Sequence, residues 1–163
     1  MDVTLQNYNH TKEQIKMIAI GCDHGGFALK KEIIKYLTEN NIEFKDFGTD
    51  SEASVNYAPI AAAVGHSVAD GECEKGILIC GTGIGMSMAV NKVKGIRAAC
   101  CSDHFSAKYT RLHNDANVLC MGGRVIGPGV AVELVNLFLN TEFEGGRHAA
   151  RIAQITAIEN GEL

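Results

Sequence analysis

Five short runs of apolar, β-favouring residues recur along the chain, at 18–22, 43–47, 76–80, 96–101 and 117–121. Most are apolar at consecutive positions, the pattern of strands covered on both faces, as in a parallel sheet. Between them the period changes. Leu29, Ile33, Tyr36 and Leu37 follow a helical spacing, Ile60, Val64 and Val68 repeat every four residues, and Ala131, Leu134, Val135 and Phe138 form another helical stripe. Gly127-Pro128-Gly129 opens that stripe, with proline tolerated in the first turn. A short helix is predicted to carry Met86 to Val90, and a last one spans 146–159. Strand–helix alternation predicts right-handed crossovers. The fold expected is α/β: a doubly wound (Rossmann-like) five-stranded parallel sheet with helices on both faces, strand order 2-1-3-4-5, and a C-terminal helix. Open sheets of this kind bind ligands beyond the carboxyl ends of their strands, where strand order reverses. The places to inspect are therefore 22–26, 80–85, and the residues after Cys101 and Met121.

The chain has 163 residues, the length of one domain at roughly 100–200 residues each. Residues 1–16 are polar and lack the apolar stretch of a secretory signal, whereas Met17 opens the first apolar run. They read as an N-terminal extension ahead of a single domain at 17–163. No run reaches the ~20 apolar residues of a membrane helix. There are 19 acidic and 15 basic residues, net −4, and no long basic run. That argues against nucleic acid or a membrane surface as partner. The six cysteines include no C-x-x-C pair, and read as reduced thiols of a cytoplasmic protein.

Chemistry concentrates at the strand ends. Cys80-Gly81-Thr82-Gly83-Ile84-Gly85 closes the third strand and opens a helix. Its glycines allow backbone N–H groups to turn inward around an anion. The spacing is G-x-G-x-G, neither the dinucleotide fingerprint nor a P-loop. Cys80 stands where a helix start favours a thiolate, a base or nucleophile; a buried structural cysteine is the alternative. Cys22, Cys100, Cys101 and Cys120 read as packing residues, and Cys73 as incidental in a turn. Asp23-His24-Gly25-Gly26 follows the first strand and suits proton transfer or an anionic ligand, or else Asp23 caps the next helix. Arg111-Leu112-His113-Asn114-Asp115 precedes the fifth strand, where His113 is either an acid–base group or a surface histidine. Arg147 and Arg151, four residues apart on the last helix, could clamp a phosphate or form a solvated face. The six histidines show no metal-ligand spacing, so no metal is expected.

The segments GCDHGGFALK (21–30), KGILICGTGIGMSMAVNKVKGIRAA (75–99), RLHNDANVLCMGGRVIG (111–127) and GGRHAARI (145–152) together resemble the type B ribose-5-phosphate isomerases. The galactose-6-phosphate isomerase subunits are near relatives. The resemblance spans Met17 to about Glu159. It implies interconversion of ribose 5-phosphate and ribulose 5-phosphate through an enediol(ate), without metal or cofactor. Cys80 is implied to move the proton between C1 and C2, with Thr82 and the amides of Gly83, Ile84 and Gly85, beside Gly81, around the developing oxyanion. His113 is implied to open the furanose ring with Asp23 as a polar partner. Asn114 and Arg124 would bind the sugar, and Arg147, Arg151 and His24 the phosphate. The resemblance further implies a homodimer or homotetramer whose site lies at the subunit interface, with His113, Asn114 and Arg124 given by the neighbour. One departure is visible. The family often has Ser-Val-Asp-Tyr-Pro where this chain has Ser54-Val55-Asn56-Tyr57-Ala58-Pro59. Tyr57 survives on this pocket wall, but the change opens the question of six-carbon substrates such as allose 6-phosphate or galactose 6-phosphate. A noncatalytic sugar-phosphate sensor on the same fold would need neither thiol nor acid–base group, so the co-occurrence of Cys80, Thr82, His113 and Asp23 speaks against it.

Overall fold

The computed structural model describes residues 17–163; the expected extension at 1–16 lies outside the described residues. The elements are β1 (Ile18–Cys22), α1 (Phe27–Glu39), β2 (Phe44–Asp46), α2 (Tyr57–Ala69), β3 (Lys75–Cys80), α3 (Ile84–Val90), β4 (Ala98–Cys100), α4 (His104–Asn114), β5 (Val118–Gly122), α5 (Pro128–Asn140) and α6 (Arg147–Glu159). All strand pairs are parallel. The expected class is therefore met, and each predicted strand lies within a residue or two of an observed one.

The strand order is β2-β1-β3-β5-β4, so the expected order 2-1-3-4-5 is wrong at its last two places. The reason is burial. Val118–Gly122 is buried at every position, whereas Ala98–Cys100 has three half-exposed or exposed small residues. A long apolar strand is worth most with neighbours on both sides, and a short one is tolerated at an edge. The chain thus leaves β3, skips a place to lay down β4, and returns to fill the gap with β5.

Alternation within the three central strands divides the core. Ile18, Ile20 and Cys22, Ile77 and Ile79, and Leu119 and Met121 face Leu29, Ile33, Ala107, Leu134 and Phe138 of α1, α4 and α5. Ala19, Leu78, Cys80, Val118 and Cys120 face Ala61, Val64, Met86 and Val90 of α2 and α3. Cys73, read from sequence as incidental, is buried in this second layer. Helix α4 was not foreseen: its mean composition is polar, and only Ala107, Thr110 and Arg111 are buried. Its start is nonetheless marked, since Asp103 accepts a hydrogen bond from the Ser106 amide. Helix α6 is mostly exposed, with His148 alone buried.

Two core thiols couple stability to pH. Burial pushes Cys22 up to about 11 and Cys101 up to about 11 from an ordinary 9.0. The folded form holds these protons more tightly than the unfolded form. Their contribution is complete below about pH 9 and is lost as pH rises towards about 11. The free energy of urea unfolding should therefore fall between these limits, and fall less steeply in Cys101→Ala. Equal losses in variant and wild type would remove Cys101 as a cause.

Candidate active site

Three strand-end turns meet at the carboxyl end of the sheet. After β1, the Asp23 amide donates to the Ile79 carbonyl (3.1 Å), which ties the turn to β3. The buried Asp23 carboxylate accepts from the Gly25 amide (2.8 Å). Helix α1 has Gly26 as its N-cap with no side-chain bond, so Asp23 shapes a turn and does not cap the helix. After β5, the Gly123 amide donates to the Cys80 carbonyl (2.8 Å) and the Arg124 amide to that of Gly81 (3.0 Å). A Cβ on Gly25 would stand 2.9 Å from the Gly81 nitrogen, and one on Gly123 2.6 Å from the Gly25 oxygen. Only glycine lets the three turns come this close.

Cys80 lies at the centre. It is 5% exposed, and its Sγ accepts a hydrogen bond from the Gly83 amide at 3.0 Å. Gly83 has φ +81°, the left-handed conformation that turns the chain into α3. The Ile84 amide donates to Thr82 Oγ1 (3.3 Å), and the Thr82 side chain is exposed. Of the amides expected around an oxyanion, that of Gly83 is thus engaged by sulfur. Arg124 lies over Gly81, with its Nη1 3.7 Å from where a Cβ would be. The Tyr57 ring covers Gly85 in the same way at 3.0 Å. His24 Nδ1 accepts from the Val55 amide (3.3 Å), joining the segment before Tyr57 to the first turn. Cys100, read from sequence as packing, donates to the Thr82 carbonyl (3.6 Å) from an exposed edge position. Burial, and then the neighbouring Cys80, push the Cys100 thiol upward.

His113 and Asn114 are elsewhere. They form the last turn of α4, which runs back towards the amino ends of the strands. The Asn114 carbonyl accepts from Arg97 Nε, just ahead of β4, and the Glu144 amide donates to Leu112. Eleven residues of helix span about 16 Å, so Asp23 and Cys80 stand at one end of the sheet and His113 at the other. The His113 ring stacks on His148 (4.1 Å between centroids, 11° between planes) and meets Tyr109 edge-on at 4.9 Å. Glu144 Oε2 is 3.6 Å from Nε2 of both His113 and His148. Burial, then His113, hold the His148 ring below its ordinary value, against the pull of Glu144. Arg147 and Arg151 are exposed on α6 beside it. Arg124, expected to travel with His113, belongs instead to the Cys80 end. The expected site residues thus fall into two groups: Asp23, His24, Tyr57, 80–85 and Arg124 at the carboxyl end, and His113, Asn114, Arg147 and Arg151 at the amino end.

The doubly wound sheet and its polar strand-end turns define a protein of the open α/β class. Residues 18–155 match the Ribose/Galactose Isomerase family. The chain is 50% identical to ribose-5-phosphate isomerase B of Escherichia coli over 145 residues, 89% of this chain and 97% of that one. It superposes on ribose-5-phosphate isomerase B of Clostridium thermocellum with a TM-score of 0.88 and 48% identity, covering 90% and 99% of the two chains. The Mycoplasma genitalium ribose-5-phosphate isomerase B, solved with bound ribulose 5-phosphate, gives a TM-score of 0.84 at 39% identity over 88% and 96%. The chain belongs to the ribose/galactose isomerase family, and among its members it is similar to the ribose-5-phosphate isomerases of type B.

The turn geometry predicts a contrast between two glycines. In Gly83→Ala the new Cβ must occupy a left-handed conformation 2.8 Å from the Met121 backbone carbon, so turnover should be lost and stability should drop by more than about 1–2 kcal/mol. Gly129 has open space around it in the first turn of α5. Gly129→Ala should leave turnover unchanged and raise stability by about 0.5–1 kcal/mol. Thermal melts and steady-state rates on both variants test this.

Proposed function

We propose that the protein interconverts ribose 5-phosphate and ribulose 5-phosphate at a site completed by a second copy of the chain. The separation of Cys80 and His113 to opposite ends of one sheet carries this reading. Each group lacks what the other has: the carboxyl-end group holds the thiol and the amide-rich turn, and the amino-end group holds the imidazole and two phosphate-binding cations. A two-fold dimer that sets one end against the partner's other end makes two complete sites. The exposure of α6, whose Ile155 and Ile158 face outward in a single chain, supports the same arrangement.

The chemistry then divides between the two groups. Arg147, Arg151 and His24 hold the phosphate dianion. His113 takes the proton of the anomeric hydroxyl while a solvent water gives one to the ring oxygen, which opens the furanose to the aldehyde. The Cys80 thiolate removes the C2 proton, and the electron pair moves to the C1 oxygen, where the Thr82 hydroxyl and the amide-rich turn before α3 meet the developing charge. The 2-hydroxyl passes its proton to the C1 oxygen, the thiol returns its proton to C1, and the 2-ketone results. The Gly83 N–H supports the thiolate, because a charged acceptor makes the stronger hydrogen bond. Tyr57, Asn114 and Arg124 bound the sugar. The Asn56 departure sits one residue ahead of Tyr57, so a panel with allose 6-phosphate and galactose 6-phosphate measures how far substrate length is relaxed. Six free cysteines support the reducing cytoplasm as the compartment.

Cys80→Ala should reduce kcat by about 10²–10⁴, the range for loss of a positioned base, while the double variant Arg147→Ala/Arg151→Ala mainly raises KM. Shared sites make a sharper test. Cys80→Ala and His113→Ala homodimers should both be inactive on ribose 5-phosphate. Mixed and allowed to exchange subunits, they should recover about a quarter of wild-type activity, since half the dimers are mixed and each carries one intact site. No recovery, with subunit exchange demonstrated, would overturn the shared site.

A further inference from the structure

We propose that His113, Glu144 and His148 form a site for one divalent transition-metal ion of the zinc class. The three donor atoms lie within 4.8 Å of one another. Glu144 Oε2 is equidistant from the two imidazole Nε2 atoms, at 3.6 Å from each. That is too long for a shared proton. It is close to the spacing of donors around one tetrahedral ion, roughly 3.3–3.6 Å when each bond is about 2.0–2.2 Å.

A second observation points the same way. His148 is 4% exposed, and its Nε2 has no hydrogen-bond partner among the described residues. Buried polar atoms are nearly always satisfied, and leaving one unmatched costs about 1–3 kcal/mol. The unmatched atom is aimed at Glu144, where an ion would satisfy it. Two imidazoles and one carboxylate suit zinc, cobalt or nickel, whereas magnesium and calcium prefer all-oxygen shells. Glu144 and the half-exposed His113 face solvent, so water can fill the fourth position. The two rings are stacked in parallel, and a shared ion requires them to splay. His113, at the end of its helix, is the ring with room to swing. Arg147 and Arg151 stand nearby and oppose a divalent charge, which limits the site to modest affinity.

Glu144 and His148 are 4 residues apart, but His113 lies 31 residues before Glu144, so the set of three is assembled only by the fold. The consequence for catalysis rests on the ring-opening role proposed for His113. An ion on its Nε2 removes the imidazole from proton transfer, so the metal is an inhibitor of a metal-independent isomerase.

Cobalt(II) chloride is the probe. Wild-type protein and Cys80→Ala should each bind one ion per chain, with visible ligand-field bands and no thiolate charge-transfer band. Zinc chloride should displace the cobalt, and Glu144→Gln should weaken binding at least tenfold. No cobalt bands at millimolar cobalt would overturn the site. So would bands that persist in Glu144→Gln but vanish in Cys80→Ala, because the ion would then sit on sulfur. In the rate assay, zinc should inhibit wild-type turnover of ribose 5-phosphate reversibly with EDTA, and Glu144→Gln, measured against its own metal-free rate, should be at least tenfold less sensitive to zinc. Binding at Glu144 without inhibition would support the metal site and overturn the ring-opening role of His113.

Discussion

The close approach of three backbones at the carboxyl ends of β1, β3 and β5 governs the rest of the molecule. A Cβ on Gly26 would lie 2.5 Å from the Ile79 oxygen, one on Gly122 2.8 Å from Thr82, and one on Gly123 2.6 Å from Gly25. Side chains are excluded here because main chain already fills the space. The turns instead bond one another through backbone groups, from Asp23 to Ile79 and from Gly123 and Arg124 to Cys80 and Gly81. A rigid peptide surface results, on which Cys80, Thr82 and Asp23 are set without depending on loop order.

The buried charge nearby extends this surface to the sheet edge. Lys30 is 2% exposed and reaches from α1 to both oxygens of Asp46 at 2.8 Å and to the Thr49 carbonyl at 2.6 Å. A fully buried ammonium demands such complete satisfaction. In meeting that demand it fastens the end of the three-residue strand β2, which backbone pairing alone would hold weakly. The segment it anchors exchanges hydrogen bonds with Cys22, from Gly48 and Thr49. The floor next to Asp23 is thereby fixed by an ion pair placed on the far side of β1.

The amino-end group obeys a different rule. Its residues sit on the last turn of α4 and on α6, where His148 is the single buried residue. His113 stacks on that anchor, so the position of one imidazole depends on the burial of the other. The exposed apolar residues Ile84 and Met88 lie on α3, which follows the Cys80 turn, and Ile155 and Ile158 on α6, which carries Arg147 and Arg151. Apolar surface exposed beside polar side chains supports the proposed two-fold assembly.

Much of this was legible in residue order, for reasons that are local. Continuous apolar runs marked the central strands because strands buried on both faces need no polar alternation. Glycine clusters marked the turns because main-chain contact forbids side chains. The combination of Asp23-His24-Gly25-Gly26, 80–85, His113-Asn114 and Arg147-His148 identified the family because chemistry constrains residue type. Helix α4 escaped because few of its residues are buried and its stripe is faint. The places of β4 and β5 escaped because order in a sheet depends on which strand gains more from two neighbours, a comparison between distant segments. The same holds for the site. Sequence named the candidate side chains, but only the tertiary structure separated Cys80 and Arg124 from His113 and set His113 beside Glu144 and His148, because such distances follow from how distant segments pack.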